Sequence, residues 1–161
     1  MATEEPVNAA TSKQATIGPF VGPYSFLLNS YPAPVKLDGE MYANVEAAYS
    51  AARTEDESVR KAIREARTPS VARRIGRAVP KHWWHVSEDT MVELLRQKFA
   101  PGTELAERLL ATGDAQLVNR NLWDATDTFW GVYKDRGENQ LGVLLMQVRR
   151  ELHAYLRVEG A

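Results

Sequence analysis

Apolar residues recur at helical spacing along most of this chain, and that periodicity is the feature that most limits its fold. Val45, Ala48, Tyr49 and Ala52 stand at i, i+3, i+4 and i+7, which indicates a helix with one apolar face. The same spacing returns in five later segments, over residues 59–66, 71–75, 91–99, 105–110 and 141–155. The pattern predicts a mainly α-helical protein.

Polar residues typical of helix ends separate these apolar stripes. Thr68 before Pro69 is typical of an N-cap followed by proline in the first turn. Ser87 before two acidic residues, and Thr103 before an apolar run, have the same character. Gly113 is the kind of residue that ends a helix. These residues predict where the separate helices begin and end.

The segment before the first stripe has a different composition. Residues 17–45 are rich in glycine, proline and aromatic residues, which favours short strands and turns. Asp38-Gly39 is typical of a two-residue hairpin turn, and residues 115–122 contain a further candidate strand. We therefore expect a compact, mainly α single-domain fold with a few short β-strands.

Composition excludes several classes of protein. The 161 residues suit one domain, predicted over residues 17–157 after a flexible tail at 1–16. The absence of cysteine excludes disulfides, Cys-ligated zinc and thiol nucleophiles. No apolar run reaches the roughly 20 residues of a membrane span. The three histidines are too scattered for a metal site. We expect a cytoplasmic protein without metal, cofactor or membrane partner.

Glu46 is the first candidate for chemistry. It stands at the start of a predicted helix, on one stripe with Tyr49 and Arg53. An acid near a helix N-terminus stabilises the helix by about 0.3–1 kcal/mol. Spacing alone therefore favours a structural interpretation of Glu46 over a catalytic one.

Asp127 and Trp130 form the second candidate, in the stretch DTFWG. An indole offers a planar base a stacking platform worth about 1–3 kcal/mol. Cleavage of an N-glycosidic bond passes through an oxocarbenium-like state, which a carboxylate stabilises while it or a second acid activates water. A turn aspartate beside a core tryptophan would give the same pattern, so the pair alone leaves both interpretations open.

The third candidate is a basic segment. Residues 60–77 contain seven cations, opposed only by Glu65, and Arg60, Arg64 and Arg67 lie on one helical stripe. A solvated helix face and a phosphate-binding surface both explain this run.

Six motifs, taken in order, resemble one family. They are YSFLLNSYPAPVKLDGEMYANVEAAYSAAR, TPSVARRIGR, a Trp83–Met91–Phe99 spacing, LLATGDAQLV, DTFWG and GENQLGVLLMQVRREL. Over residues 20–152 the chain resembles the NADAR family, the YbiA-like N-glycosidases. The resemblance implies hydrolysis of an N-glycosidic bond in a ribose-phosphate-bearing base. It implies either a small-molecule ribosyl phosphate, such as a riboflavin-pathway intermediate, or ADP-ribosylated guanine in nucleic acid.

The resemblance also implies roles for individual residues. Glu46 and Asp127 match the catalytic carboxylates. The residues that match substrate-binding positions are Asn29, Tyr49, Arg77, Trp83, Trp130 and Asn139.

The chain departs from the family pattern around these residues. The altered positions are Ser30, Ala47, Ser50, Arg53, Ser87 and Gln140. The change at Ser87 removes one candidate lysine nucleophile. An active N-glycosidase is the preferred interpretation, because both carboxylates and Trp130 remain. The alternative is a catalytically degenerate ADP-ribose- or nucleotide-binding protein, or a structural assembly protein.

Overall fold

A computed structural model describes residues 14–79, 86 and 88–160. This part of the chain is mainly helical, which confirms the predicted fold class. The α-helices are α1 Val45–Ala52, α2 Glu57–Arg64, α3 Pro69–Ala78, α4 Glu88–Lys98, α5 Glu104–Leu110 and α6 Gln140–Glu159. A 3-10 helix, Gly22–Leu27, precedes them. The strands are β1 Thr16–Ile17, β2 Val35–Leu37, β3 Glu40–Tyr42 and β4 Gln116–Leu117.

The structure describes two of the three predicted side-chain caps and confirms both of them. The Thr68 hydroxyl accepts a hydrogen bond from the backbone of α3, and Thr103 does the same for α5. Ser87, the predicted cap of α4, lies outside the described residues. Helix α5 ends at Leu110, earlier than predicted, because a turn intervenes before Gly113 adopts its positive φ of 63°.

Two small strand pairs complete the fold. β2 and β3 form an antiparallel hairpin, and its turn residues Asp38 and Gly39 have φ values of 49° and 83°. The predicted hairpin is therefore confirmed. β1 pairs in parallel with β4, with Thr16 opposite Gln116. The strand predicted within 115–122 exists but is only two residues long, and its pairing attaches the start of the described chain to the segment before α6.

Helices α1, α4 and α6 supply the centre of the core. Val45, Leu95, Phe99 and Leu145 have no exposed surface, and burial of each such side chain contributes about 1.5–3 kcal/mol. Helix α4 packs against both α1 and α6, while α1 also packs against α3. The predicted sharing of one core by α4 and α6 is confirmed. Within the described residues, no helix is long and apolar enough to cross a bilayer.

Candidate active site

Glu46 lies in the first turn of α1, where two neighbours hold the backbone. The Asn44 side chain caps the helix by accepting from the Ala47 N–H at 2.8 Å. The Glu46 N–H donates to the backbone oxygen of Asn29 at 3.0 Å, which ties the helix to the preceding loop. We call residues 28–31 the front loop. The Glu46 side chain is one-third exposed, so solvent and small molecules reach it.

Arg73 is the charged partner of Glu46. Its Nε donates to Glu46 Oε1 at 2.9 Å, and both side chains are about one-third exposed. Such a pair contributes about 0–1 kcal/mol to stability because water screens it. Its main effect is geometric, since it holds one carboxylate oxygen in place.

The pair exists because α3 runs parallel to α1 at close range. Three contacts at nearly constant sequence separation define this packing: Glu46 with Arg73, Ser50 with Gly76, and Arg53 with Val79. A Cβ atom on Gly76 would lie 2.6 Å from the Ser50 hydroxyl oxygen. Glycine at position 76 is therefore required for this approach, and a longer side chain at position 50 would also clash.

Asp127 forms a turn at the start of the DTFWG segment, residues 127–131, which we call the wall of the candidate site. Its Oδ1 accepts from the Trp130 N–H at 3.0 Å, and its Oδ2 accepts from Asn121 Nδ2 at 3.2 Å. Asn121 Nδ2 also donates to the Asp127 backbone oxygen at 3.1 Å. The turn interpretation is thus correct, and the same bonds fix the direction of the carboxylate.

Tyr49 connects α1 to this wall. Its ring meets the Trp130 ring edge-on, with centroids 5.5 Å apart. Burial raises the pKa of the Tyr49 hydroxyl above its usual value, and the nearby negative charge of Asp127 raises it further, while Trp130 and Arg53 act in the opposite direction. Tyr49 stands one helical turn after Glu46. The structure therefore brings together three predicted residues, Tyr49, Asp127 and Trp130. Glu46 lies on the same helix as Tyr49.

Trp130 is partly buried and packs against the core. Phe129 lies edge-on to it, with centroids 4.8 Å apart. The Trp130 backbone oxygen accepts from the Leu141 N–H at 3.1 Å and from Asn119 Nδ2 at 3.3 Å. Neighbouring aromatic rings therefore pack against the indole, and hydrogen bonds fix the backbone of Trp130.

Asn139 uses its side chain within the protein. Its Oδ1 accepts from the Asn119 N–H at 2.8 Å, and its Nδ2 donates to the Leu117 oxygen at 2.9 Å. These bonds attach the start of α6 to β4, where a Cβ on Gly142 would lie 2.0 Å from the Leu117 oxygen. The structure thus shows Asn139 holding the wall in place, and its contact with substrate stays a prediction.

The other predicted binding residues are in different situations. Asn29 Oδ1 is buried and is the only buried side-chain polar atom without a hydrogen-bond partner in the described part of the chain. Its Nδ2 contacts Met91 Sδ at 3.7 Å. Arg77 is exposed on α3, one turn beyond Arg73. Trp83 lies outside the described residues.

Within the described part of the chain, the basic segment contains both paired and unpaired cations. Arg60 pairs with Asp38 at 2.8 Å, and Arg64 pairs with Glu57 while donating to Tyr42 at 3.2 Å. These two arginines attach α2 to the hairpin of β2 and β3. The exposed arginines are Arg67, Arg74 and Arg77, and none of them forms an ion pair with another described residue.

Sequence reasoning missed Asn119 and Asn121, and it singled out Arg73 only as part of the basic run. Asn119 and Asn121 are two residues apart, the spacing that places side chains on one face of an extended segment. That spacing beside the DTFWG motif was the available signal. Among the described residues, no cluster of acids and histidines could hold a metal ion.

Comparison with known proteins places this arrangement in a family. The model of the NADAR domain matches residues 11–153. The N-glycosidase YbiA of Shigella flexneri serotype 5b (strain 8401) is 37% identical over 134 residues, covering 80% of this chain and 82% of that protein. A riboflavin biosynthesis protein of Vibrio vulnificus (strain YJ016) is 33% identical over 137 residues, which are 82% of this chain and 36% of that protein.

A solved structure agrees with the fold. The NMR structure of the Escherichia coli protein YbiA superposes with a TM-score of 0.73 at 35% sequence identity, covering 89% of this chain and 88% of that one. The family match includes α1 to α5, the DTFWG wall and most of α6. The chain belongs to the NADAR domain family.

Proposed function

We propose that this protein is an N-glycosidase that hydrolyses the bond between a base and a ribose phosphate. The observation that carries the proposal is the Tyr49–Trp130 contact. It joins the helix that carries Glu46 to the segment that carries Asp127, which supports a site with two carboxylates and an indole. Relatives named N-glycosidase support the same chemistry.

The two carboxylates are proposed to have different roles. Asp127 is oriented by donors on both oxygens, which suits a fixed charge that stabilises the oxocarbenium-like state. Glu46 is held at Oε1 by Arg73, while Oε2 has no donor among the described residues. That oxygen is available to take a proton from the attacking water.

Three further groups are proposed to bind substrate. Trp130 provides the stacking surface for the base. The unpartnered Asn29 Oδ1 is suited to accept a hydrogen bond from a substrate hydroxyl, because a buried acceptor without a donor costs about 1–3 kcal/mol. Arg77 is proposed to contact the phosphate, because guanidinium groups bind phosphate oxygens in bidentate fashion.

The number of unpaired arginines in the basic segment bears on how large a phosphate-bearing substrate the protein binds. Arg60 and Arg64 are engaged in ion pairs, so fewer cations remain for phosphates than the sequence offers. This favours a small ribosyl phosphate over a nucleic-acid-borne substrate. A relative named as a riboflavin biosynthesis protein supports a riboflavin-pathway intermediate, and ADP-ribosylated guanine is the second candidate.

Product analysis tests the proposal. The protein is incubated with a riboflavin-pathway ribosylamine phosphate and, separately, with ADP-ribosylated guanine, and the released base is measured by chromatography. Release that disappears in Glu46→Gln supports the proposal. Tight binding without release would support the degenerate binder, which the substitutions at Ala47 and Arg53 favour. Neither binding nor release would favour the assembly role.

A further inference from the structure

Lys98 is a buried lysine at the end of α4. The residue is 3% exposed, and its Nζ donates to the backbone oxygen of Leu28 at 2.6 Å. The Nζ also lies 5.1 Å from the Phe99 ring centroid and 5.8 Å from that of Tyr31. No carboxylate of the described chain lies within ion-pair distance of this amine.

The surroundings make the charge of this amine sensitive to pH. A buried charge without a counter-ion is costly, and burial lowers the pKa of Lys98 to about 7. From α5, Arg108 adds a second cation over the Tyr31 ring at 5.9 Å and donates to the Tyr31 hydroxyl. The aromatic faces partly compensate for both cations.

Other charged groups near α4 contact different residues of that helix. Glu151 of α6 pairs with Arg96, and the backbone of Lys36 in β2 bonds to Gln97. Neither group contacts the Lys98 amine. Leu28 is therefore the hydrogen-bond partner through which Lys98 acts on the site.

The front loop links Lys98 to Glu46. The backbone oxygen of Leu28 accepts a hydrogen bond from the Lys98 amine, and Leu28 directly precedes Asn29. The backbone oxygen of Asn29 accepts a hydrogen bond from the Glu46 N–H at 3.0 Å. The backbone oxygen of Ser30 accepts one from Asn44 Nδ2 at 3.3 Å. One side of the loop is thus bonded to α4 and the other to the start of α1.

We propose that Lys98 is a positioning residue for the candidate active site. Its amine fixes the front loop against α4, and the loop in turn fixes Asn29 and the start of α1 that carries Glu46. The inference rests on the proposed function for what the site does, whereas the mechanical link itself is independent of catalysis.

Nitrogen-15 NMR of the full chain tests the link. In the wild type, the Glu46 N–H and the Asn29 side-chain amide should shift together with pH, with a midpoint near 7. The comparison variant is Lys98→Met, which keeps a similar length and removes the charge. Replacing a buried charge by an apolar group of similar volume is often neutral or stabilising. The control is Lys61→Met on α2, where the lysine side chain is 64% exposed.

The expected result is loss of both titrations in Lys98→Met and their retention in Lys61→Met. Because histidines also titrate near neutral pH, signals that shift in Lys98→Met as they do in wild type would overturn the proposal. So would signals that stay constant in wild type. If Lys98→Met does not fold, Lys98→Gln serves the same purpose, since it keeps a donor toward Leu28 and cannot titrate.

A kinetic measurement separates this inference from the proposed function. If the protein cleaves a ribosyl substrate, the fall in kcat above neutral pH should be present in wild type and absent in Lys98→Met, with kcat near pH 6 reduced by up to about 10²-fold because the reacting groups are misplaced. If no substrate is cleaved, the proposed function fails, while the NMR titration still decides whether Lys98 controls the geometry of Asn29 and Glu46.

Discussion

The ring of Tyr49 meets the ring of Trp130 edge-on, with the two centroids 5.5 Å apart. Tyr49 belongs to the helix that begins beside Glu46, and Trp130 belongs to the turn that Asp127 closes. Aromatic contacts of this geometry contribute about 0.5–1.5 kcal/mol beyond the area they bury. This contact gives the two carboxylate-bearing segments a fixed relation to each other.

Glu46→Gln should reduce glycosidic cleavage by about 10²–10⁴-fold while ligand affinity stays within about tenfold. Glutamine keeps the shape and one acceptor but cannot take a proton. Single-turnover kinetics and calorimetric titration measure the two effects. The matched control is Glu65→Gln, because Glu65 is an exposed carboxylate of the basic segment. Equal loss in both variants would show that Glu46 has no special role.

Trp130→Ala should weaken ligand binding about 5- to 150-fold, because it removes a stacking surface worth about 1–3 kcal/mol. Trp123→Ala is the control, since Trp123 is 92% exposed. We expect Trp123→Ala to keep the wild-type thermal midpoint. Dissociation constants and melting curves are measured together, because Trp130 also packs against the core. An unchanged dissociation constant in folded Trp130→Ala would contradict the stacking role.

Asn121→Ala should lower kcat more than it raises KM. Asn121 donates to both the carboxylate and the backbone oxygen of Asp127, so its loss leaves the Trp130 N–H as the remaining described donor that orients the carboxylate. The lost hydrogen bonds should also reduce the free energy of unfolding by about 0.5–1.5 kcal/mol. Asn121→Asp should be worse, since it places a second negative charge beside Asp127. Unaltered kinetics in both variants would mean that the orientation of Asp127 is irrelevant.

Salt should weaken ligand binding only modestly. Each neutralised phosphate releases counter-ions, so an extended nucleic-acid contact would lose about 10³–10⁵ in affinity between roughly 50 and 200 mM salt. With Arg60 and Arg64 already paired, we expect the shallow dependence of a small phosphate ligand. Arg77→Ala should make the salt dependence of ligand binding shallower still. Arg60→Ala should lower the stability of the fold and leave that salt dependence unchanged. A steep dependence would favour nucleic acid.

The free energy of unfolding should rise between about pH 7 and pH 9. Burial lowers the pKa of Lys98 to about 7, whereas an unfolded lysine titrates near 10.4. Over this interval the unfolded chain binds more protons than the folded chain, so raising the pH favours folding. The expected gain is about 2 kcal/mol, measured by urea denaturation, and it should vanish in Lys98→Met. An equal rise in that variant would assign the effect to another group.

The sequence alone determined the local features of this protein. The caps at Thr68 and Thr103, the hairpin at Asp38-Gly39 and the apolar stripe of α1 all depend on residues within about four positions of one another. Local chemistry therefore predicts them. The order of the family motifs likewise identified the NADAR family, and the family model and fold comparison confirmed it.

Only the tertiary structure decided which side chains meet. Arg73 appeared in sequence as one cation among seven, and it becomes the partner of Glu46 because Gly76 lets α3 approach α1. In the sequence Lys98 only precedes Phe99, the last residue of an apolar stripe, and its burial follows from the packing of α4 beneath the front loop. Arg73 and Glu46 are 27 positions apart in the sequence, and Lys98 and its partner Leu28 are 70 positions apart. Contacts at such separations depend on how whole elements pack, which local propensities do not specify.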